Sequence, residues 1–252
     1  MMSEIIVDNL THTFAKGTPE ALTVLEGINL TFPAGSFTSI VGTSGCGKST
    51  LLKMMAGLFD PTDGEMTLDG QVIKGTDRKR GMVFQQDAVF PWMTVAKNIS
   101  YGPRIHGASK ADQIAAEAKW VEAVGLKGFE DRWPRELSGG MRKRVDIGRV
   151  YANDPDVLLM DEPFGALDAQ TKERLQSDLL ATWKETQKTI IFVTHDLEEA
   201  IFLSDQIVVM SARPGRISHI EDVSLPRPRS DDMRLTSEFL DIKRKLWKML
   251  DH

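Results

Sequence analysis

A glycine-rich segment between an apolar strand and a helix constrains this chain more than any other feature. Residues 42–49, Gly-Thr-Ser-Gly-Cys-Gly-Lys-Ser, follow the apolar run 36–41 and precede residues 49–58, where Leu and Met recur at helical spacing. Glycines in this pattern let backbone N–H groups surround phosphate oxygens, and the helix N-terminus adds partial positive charge. We therefore predict a nucleotide-phosphate loop in which Lys48 reaches the β- and γ-phosphates and Ser49 binds Mg²⁺.

The alternative for this segment is a plain glycine turn that caps a helix. The strand before it and the helix after it favour the phosphate loop, because that motif requires this context. The residues that we expect to contact nucleotide here are Gly42, Thr43, Ser44, Gly45, Cys46, Gly47, Lys48, Ser49 and Thr50.

Two carboxylates follow a second apolar strand. The run 157–160 is Val-Leu-Leu-Met, and Asp161 and Glu162 come directly after it. A buried strand that ends in an acidic residue can place that residue beside a metal ion on a nucleotide. Glu162, one residue further, is the candidate general base for an attacking water. Adjacent carboxylates are more often a solvated turn, but a phosphate loop upstream favours the catalytic interpretation.

A second cluster of small residues lies between these two motifs. Residues 137–140, Leu-Ser-Gly-Gly, begin a segment with helical periodicity, so Ser138, Gly139 and Gly140 mark a helix N-terminus that can meet an anion. Alone, Ser-Gly-Gly is more often a loop than a ligand site. Its position after the glycine-rich segment and shortly before the carboxylates resembles the signature loop of the ABC ATPase family.

The resemblance extends from about Ile5 to the C-terminus and implies roles for further residues. It implies that Gln85 and His195 act with Glu162 in ATP hydrolysis and that Mg²⁺ is held by Ser49, Gln85 and Asp161. It also identifies residues 165–168 as a loop that contributes Asp168 to the nucleotide site, and Phe14 as the aromatic that stacks on adenine. From the residues alone, Phe14 is equally a core residue, Gln85 a strand cap and His195 a structural histidine.

Assembly and partners are also implied by the resemblance. In this family two subunits enclose two ATP molecules, and the phosphate loop of one faces the signature loop of the other. Residues 84–85, 90–94, 98–99, 211–217 and 225–229 are similar to importer ATPases for nitrate, sulfonate, taurine and bicarbonate. We therefore expect a homodimer that binds two permease subunits and depends on a separate solute-binding protein. The solute itself is not encoded in a chain that contacts only nucleotide and partners.

Strands that alternate with helices predict an α/β fold with a mixed, largely parallel sheet. We expect the P-loop NTPase core of an ABC ATPase, with an antiparallel β portion at the N-terminus and an inserted helical subdomain. The predicted boundaries, within one domain of 1–252, are 1–95 and 152–225 for the core, 96–151 for the helical subdomain and 226–252 for an extension with an amphipathic helix. Ile114, Ala118, Val121 and Val124 mark one helix of the subdomain.

Composition excludes several classes of protein. The formal charge of −5 argues against nucleic acid as a partner, and the longest apolar runs fall far below the ~20 residues of a membrane span. With no visible secretory signal, we expect a peripheral protein on the cytoplasmic face of the inner membrane. An ABC ATPase acting on DNA would need a long coiled-coil insertion, and a lone P-loop kinase or GTPase would not carry residues 137–140 and His195.

Some residues depart from the family pattern or lack an assigned role. Lys143 stands where Gln is common, and Asp146, Gly148, Val150 and Tyr151 replace small or aliphatic residues. Because Arg142 and Asp146 are four apart, we expect an exposed ion pair. Phe90, Trp92 and Met93 form either satellite packing or a groove for a permease helix. The terminal helix is expected to pack on its own domain rather than on a partner.

Overall fold

The computed structural model describes residues 2–165 and 167–250. The strands are β1 (Ile5–Phe14), β2 (Leu22–Phe32), β3 (Phe37–Gly42), β4 (Asp63–Leu68), β5 (Gln71–Val72), β6 (Arg80–Val83), β7 (Val157–Asp161), β8 (Thr189–Val193), β9 (Gln206–Ser211) and β10 (Arg216–Asp222). The helices are α1 (Lys48–Met55), α2 (Val95–Ile99), α3 (Tyr101–Ile105), α4 (Lys110–Ala123), α5 (Gly139–Ala152), α6 (Ala169–Thr186), α7 (Leu197–Leu203) and α8 (Ser237–Leu250), with 3₁₀ turns at Pro134–Glu136 and Asp231–Leu235. Ala166, within the loop predicted at 165–168, and residues 1, 251 and 252 lie outside the described residues.

Two sheets form the framework, as the sequence predicts for an α/β protein. The smaller sheet has the order β2-β1-β4-β5 and is antiparallel. The larger has the order β10-β9-β3-β8-β7-β6, in which the pairs from β9 to β6 are parallel and β10 runs antiparallel to β9. The predicted antiparallel N-terminal portion and mixed, largely parallel sheet are therefore confirmed.

The parallel strands bring the ends of distant segments to one edge. β3 and β7 both lie beside β8, in registers that place Ile40 opposite Val193 and Asp161 opposite Val193. These strands are buried along their whole length, which explains their continuous apolar runs. The residues that follow them, including the glycine-rich segment, Glu162 and His195, consequently meet at the carboxyl edge of the sheet, where open α/β sheets bind ligands.

Helices dominate the chain between β6 and β7, and the periodic stripe of α4 is only partly buried. Val121 and Val124 are buried against the core with Trp120, whereas Ile114 is 55% exposed. The period predicts the helix correctly, but the N-terminal half of α4 projects beyond the core, so its apolar positions remain in solvent. Helical period identifies an apolar face, and burial of that face requires a packing partner.

The expected exposed ion pair between Arg142 and Asp146 is wrong. Asp146 is fully buried and pairs with Arg149, Oδ1 to Nη2 at 2.8 Å, while Arg142 Nε donates to Asp87 Oδ2 at 2.9 Å. The two residues are four apart, but position 146 lies on the face of α5 that packs inward. Sequence spacing alone does not identify that face.

The C-terminal segment packs on the protein's own core. In α8, Phe239 and Leu246 are buried in the cluster formed by the large sheet and its helices. Lys243 of α8 pairs with Glu198 of α7, and Lys245 pairs with Glu221 of β10. Across residues 2–165 and 167–250, none of the helices has the length and hydropathy needed to cross a membrane.

Candidate functional site

The glycine-rich segment connects β3 to α1 in a tight turn. Gly45 and Gly47 have φ values of +80° and +97°, and a Cβ on Gly47 would stand 2.6 Å from Leu25 Cδ2. Gly47 occupies the N-cap position of α1 and supplies no side-chain hydrogen bond to the first turn. The N–H groups at this helix end therefore remain available to an anion such as phosphate.

Lys48 is held across the loop that precedes it. Its Nζ donates to the carbonyl oxygens of Gly42 at 2.7 Å and Thr43 at 3.2 Å. The side chain of Cys46 is buried, with Sγ 3.7 Å from Lys48 Nζ, so Cys46 offers a ligand only its backbone. The ammonium group is thus anchored beside the turn, where it can meet a phosphate oxygen.

The side-chain oxygens of Ser49 and Asp161 lie close together at the start of α1. Ser49 Oγ donates to Asp161 Oδ1 at 2.8 Å, and Asp161 is only 3% exposed. Burial raises the pKa of Asp161, while the Ser49 hydrogen bond acts in the opposite direction. A hydroxyl and a carboxylate next to a phosphate loop are the hard oxygen ligands that Mg²⁺ prefers, so these residues fit the predicted ion.

Two predicted catalytic side chains, those of His195 and Gln85, converge on one carboxylate oxygen of the third, Glu162. Glu162 Oε2 lies 3.1 Å from His195 Nδ1 and 3.3 Å from Gln85 Nε2. Glu162 has a positive φ of 42°, uncommon for a residue other than glycine, and its N–H donates to Val193 O at 2.9 Å. This backbone conformation turns the side chain away from the strand and toward the residues that follow β6 and β8.

These groups line a single open cleft of about 570 Å³ beside the phosphate loop. Phe14 lies at its rim with 44% of its surface exposed, which contradicts the alternative of a core residue. His12 packs edge-on against Phe14, with ring centroids 4.6 Å apart. A partly exposed aromatic ring and anion-binding N–H groups in the same cleft suit a nucleotide, which has a flat base and a phosphate chain.

The remaining predicted residues are not part of that cleft lining in the described chain. Ser138 caps α5, with Oγ accepting from Met141 N at 3.3 Å, and Asp168 caps α6 by accepting from Thr171 N at 3.0 Å. Gly140 packs closely on α6, since a Cβ there would lie 2.9 Å from Thr171 Cγ2. Ser138 and Gly139 are exposed, so the N-terminus of α5 faces solvent.

The sequence analysis did not predict the polar network formed by Thr194 and Asp196, the neighbours of His195 in sequence, with Lys172 and Glu199. Lys172 of α6 pairs with Asp196 at 2.7 Å and with Glu199 at 2.8 Å, and Glu199 also accepts a hydrogen bond from Thr194. Asp196 caps α7 by accepting from the Glu198 and Glu199 N–H groups. The cap was visible as an Asp before a helical run, but Lys172 is too distant in sequence for any pattern to signal it.

Several known proteins are similar to this chain in sequence. A family model described as ABC transporter matches residues 25–165. An uncharacterized ABC transporter ATP-binding protein of Methanocaldococcus jannaschii is 46% identical over 250 residues, covering 99% of this chain and 92% of that protein. An aliphatic sulfonates import ATP-binding protein of Bacillus cereus is 44% identical, covering 98% and 96%. A taurine import ATP-binding protein of Roseobacter denitrificans is also 44% identical, covering 96% and 89%.

A solved structure shares the fold. The dimeric, post-hydrolysis state of an ATP-binding cassette bound to ADP and Pi superposes with a TM-score of 0.77 at 31% identity, covering 88% of this chain and 100% of that one. The similarity in sequence and the similarity in fold point to the same family. This chain belongs to the ABC transporter family.

Proposed function

We propose that this chain is the ATP-binding and ATP-hydrolysing subunit of an ABC importer. The observation that carries the proposal is the convergence of Gln85 and His195 on Glu162, beside the Ser49–Asp161 pair and the phosphate loop. The cleft thus combines phosphate binding, metal ligation and a carboxylate base. Phosphoryl transfer to water requires these elements.

In this proposal each residue has a defined part in hydrolysis. The N–H groups of the loop and Lys48 bind the phosphates, and Phe14 supports the adenine ring. Ser49 and Asp161, with Gln85, would hold Mg²⁺, which neutralises charge on the phosphate oxygens when bound. Glu162 accepts a proton from the attacking water. His195 orients Glu162 through Nδ1 and presents its other ring nitrogen to the γ-phosphate.

The substitution Glu162→Gln tests the hydrolytic role. Loss of the base should lower ATP turnover by about 100- to 10,000-fold and leave ATP binding intact, because the amide keeps the size of the side chain but accepts no proton. Single-turnover hydrolysis and equilibrium ATP binding measure the two effects. The control Glu65→Gln, on an exposed position of β4, should behave as the wild type. Wild-type turnover in Glu162→Gln would remove Glu162 from this role.

We also propose a binding site for a membrane partner, a groove beside the apolar loop that contains Phe90, Trp92 and Met93. An open groove of about 420 Å³ is lined by residues that include Phe90, Tyr101 and Ile105, and Ile105 is 57% exposed. Trp92 is 66% exposed and its ring lies 5.6 Å from that of Phe90. Phe90 and Tyr101 are half-buried and in ring contact, with exposed Trp92 and Ile105 nearby, and exposed apolar surface of this kind marks protein interaction sites. We assign the groove to a cytoplasmic segment of a permease subunit, which would hold this chain at the membrane surface.

The transported solute is proposed from the relatives. The Bacillus cereus and Roseobacter denitrificans proteins carry the names of aliphatic sulfonate and taurine import. By that similarity we propose a small organic sulfonate or a related anion such as nitrate or bicarbonate, delivered by a separate solute-binding protein. Two copies of this chain would act together, in keeping with the dimeric cassette that shares its fold.

A further inference from the structure

The segment that carries Gln85 is held by side chains of α5. Residues 84–90 have neither helix nor strand structure, so helix and sheet ladders do not satisfy their backbone carbonyls. Lys143 Nζ donates to Phe84 O at 2.9 Å and to Gln85 O at 3.3 Å. The position of the Gln85 backbone is therefore set directly by one ammonium group.

Two further basic side chains of the same helix continue this attachment. Arg142 Nε donates to Asp87 Oδ2 at 2.9 Å, and Arg149 Nη1 donates to Ala88 O. The Arg149 guanidinium also lies over the Phe90 ring, 4.8 Å from its centroid. Three basic side chains of α5 thus contact the segment from Gln85 to Phe90 at several points along it.

Asp87 Oδ1 lies 3.8 Å from Lys143 Nζ and supplies one balancing charge in this cluster, and Asp146 supplies the fully buried one. The Asp146 side chain is 0% exposed and that of Lys143 only 5%, with Asp146 Oδ2 at 3.8 Å from Lys143 Nζ and Oδ1 at 2.8 Å from Arg149 Nη2. Arg149 and Lys143 oppose the effect of burial, which raises the pKa of Asp146. A buried ammonium is costly unless it is paired, so the carboxylate allows Lys143 to occupy a position from which it reaches the carbonyls.

We propose that Lys143 and Asp146 are positioning residues that set Gln85 against Glu162. The pair does not touch the nucleotide cleft and acts through the backbone of residues 84–85. The same helix begins directly after Ser138, so the pair also links the Gln85 segment to the exposed N-terminus of α5. This inference rests on the proposed hydrolytic function of the cleft.

Four proteins test the pair: the wild type, Asp146→Ala, Lys143→Gln and the double variant. Asp146→Ala removes the only fully buried carboxylate of the described cluster and leaves Lys143 with the partly exposed Asp87, so it should lower kcat about tenfold, with the KM for ATP changed less than about twofold. The double variant should recover to within about threefold of the wild type, because the Gln amide donates to the same carbonyls without a charge that needs Asp146. The control Arg132→Gln breaks an exposed pair with Glu136 in the same region and should be neutral.

A cycle with Gln85 separates positioning from general stability. Lys143→Gln alone leaves the buried Asp146 carboxylate without its ammonium partner, which should displace the segment that carries Gln85 and lower kcat. If Lys143 acts through Gln85, the same change should have no further effect, within about twofold, in a Gln85→Ala background. The same loss in both backgrounds would overturn the inference, as would losses in Asp146→Ala and Lys143→Gln that simply multiply in the double variant. The turnover of Glu162→Gln tests the hydrolytic function by itself. A failure of that function is therefore distinguishable from a failure of the positioning role.

Discussion

At the scale of single residues, adjacent carboxylates acquire different roles from their environments. Asp161 ends β7, is buried and contacts Ser49, whereas Glu162 turns at positive φ to meet His195 and Gln85. One residue of separation therefore distinguishes the carboxylate that we propose as a metal ligand from the one that we propose as the base. The sequence predicts both acids, but the difference between them follows from the backbone conformation at Glu162.

A second residue-scale contact makes a pH-dependent contribution to stability. Lys188 Nζ, in a nearly buried side chain, lies 2.7 Å from Asp154 Oδ1, and this hydrogen bond lowers the pKa of Asp154. The folded-state pKa is below the unfolded one, so the stabilisation is present at neutral pH and is lost as pH falls through the folded-state pKa.

We therefore expect Asp154→Asn to reduce the free energy of unfolding by about 1 kcal/mol at pH 7, discounted for the exposure of Asp154. Asn tolerates the left-handed conformation at this position, where φ is +49°. Denaturant unfolding at neutral pH and at pH well below the ordinary Asp value of about 3.9 measures the difference. A difference that grows as pH falls would contradict the assignment.

At the scale of elements, the loop between β6 and α2 has no regular structure but is held by hydrogen bonds from one buried amide. Asn98 of α2 is fully buried; its Oδ1 accepts from Phe90 N at 2.7 Å and its Nδ2 donates to Phe90 O at 3.1 Å and Met93 O at 3.0 Å. A buried amide satisfied in this way fixes the backbone around it. Trp92 is consequently held outward, so its exposure is a property of the loop's architecture.

This arrangement predicts the effect of a charge at Trp92. Trp92→Glu should reduce recovery of the tagged chain with membranes of its native cells by about tenfold, because a carboxylate opposes burial in an apolar contact. ATP binding should be unchanged. Trp92 adjoins the groove through its ring contact with Phe90, which lines it. Ile114→Glu is the matched control, because Ile114 is an apolar residue of α4 with 55% exposure that is not part of the groove lining. Equal membrane recovery of both variants would exclude the groove as the permease site.

At the scale of the whole molecule, the predicted nucleotide contacts fall into two sets on different parts of the chain. The phosphate loop and Glu162 line the cleft, whereas Ser138 and Gly139 are exposed at the N-terminus of α5 and do not line it in the described residues. One copy therefore lacks the signature contacts at its own cleft. Our proposal of a dimer assigns those contacts to the second copy.

Complementation between variants tests this arrangement. Ser138→Arg blocks the surface offered to the partner, and Lys48→Ala removes phosphate binding within the chain, so each variant alone should lose turnover. A mixture contains dimers in which the Lys48 loop of one chain meets the Ser138 end of the other. We expect hydrolysis to recover to about a quarter of the wild-type rate if dimers form statistically and sites act independently. No recovery above the sum of the separate variants would contradict the trans arrangement.

The sequence by itself determined the features that depend on neighbouring residues. The phosphate loop, the carboxylates after β7 and the amphipathic α8 each lie within one continuous segment, so local geometry and periodicity identify them. Only the tertiary structure decided which side chains meet: Gln85 and His195 on Glu162, Lys143 with Asp146 inside the protein, and Ile114 left in solvent. Periodicity gives a helix an apolar or charged face, but the partner of that face is set by packing between segments that are far apart in the chain.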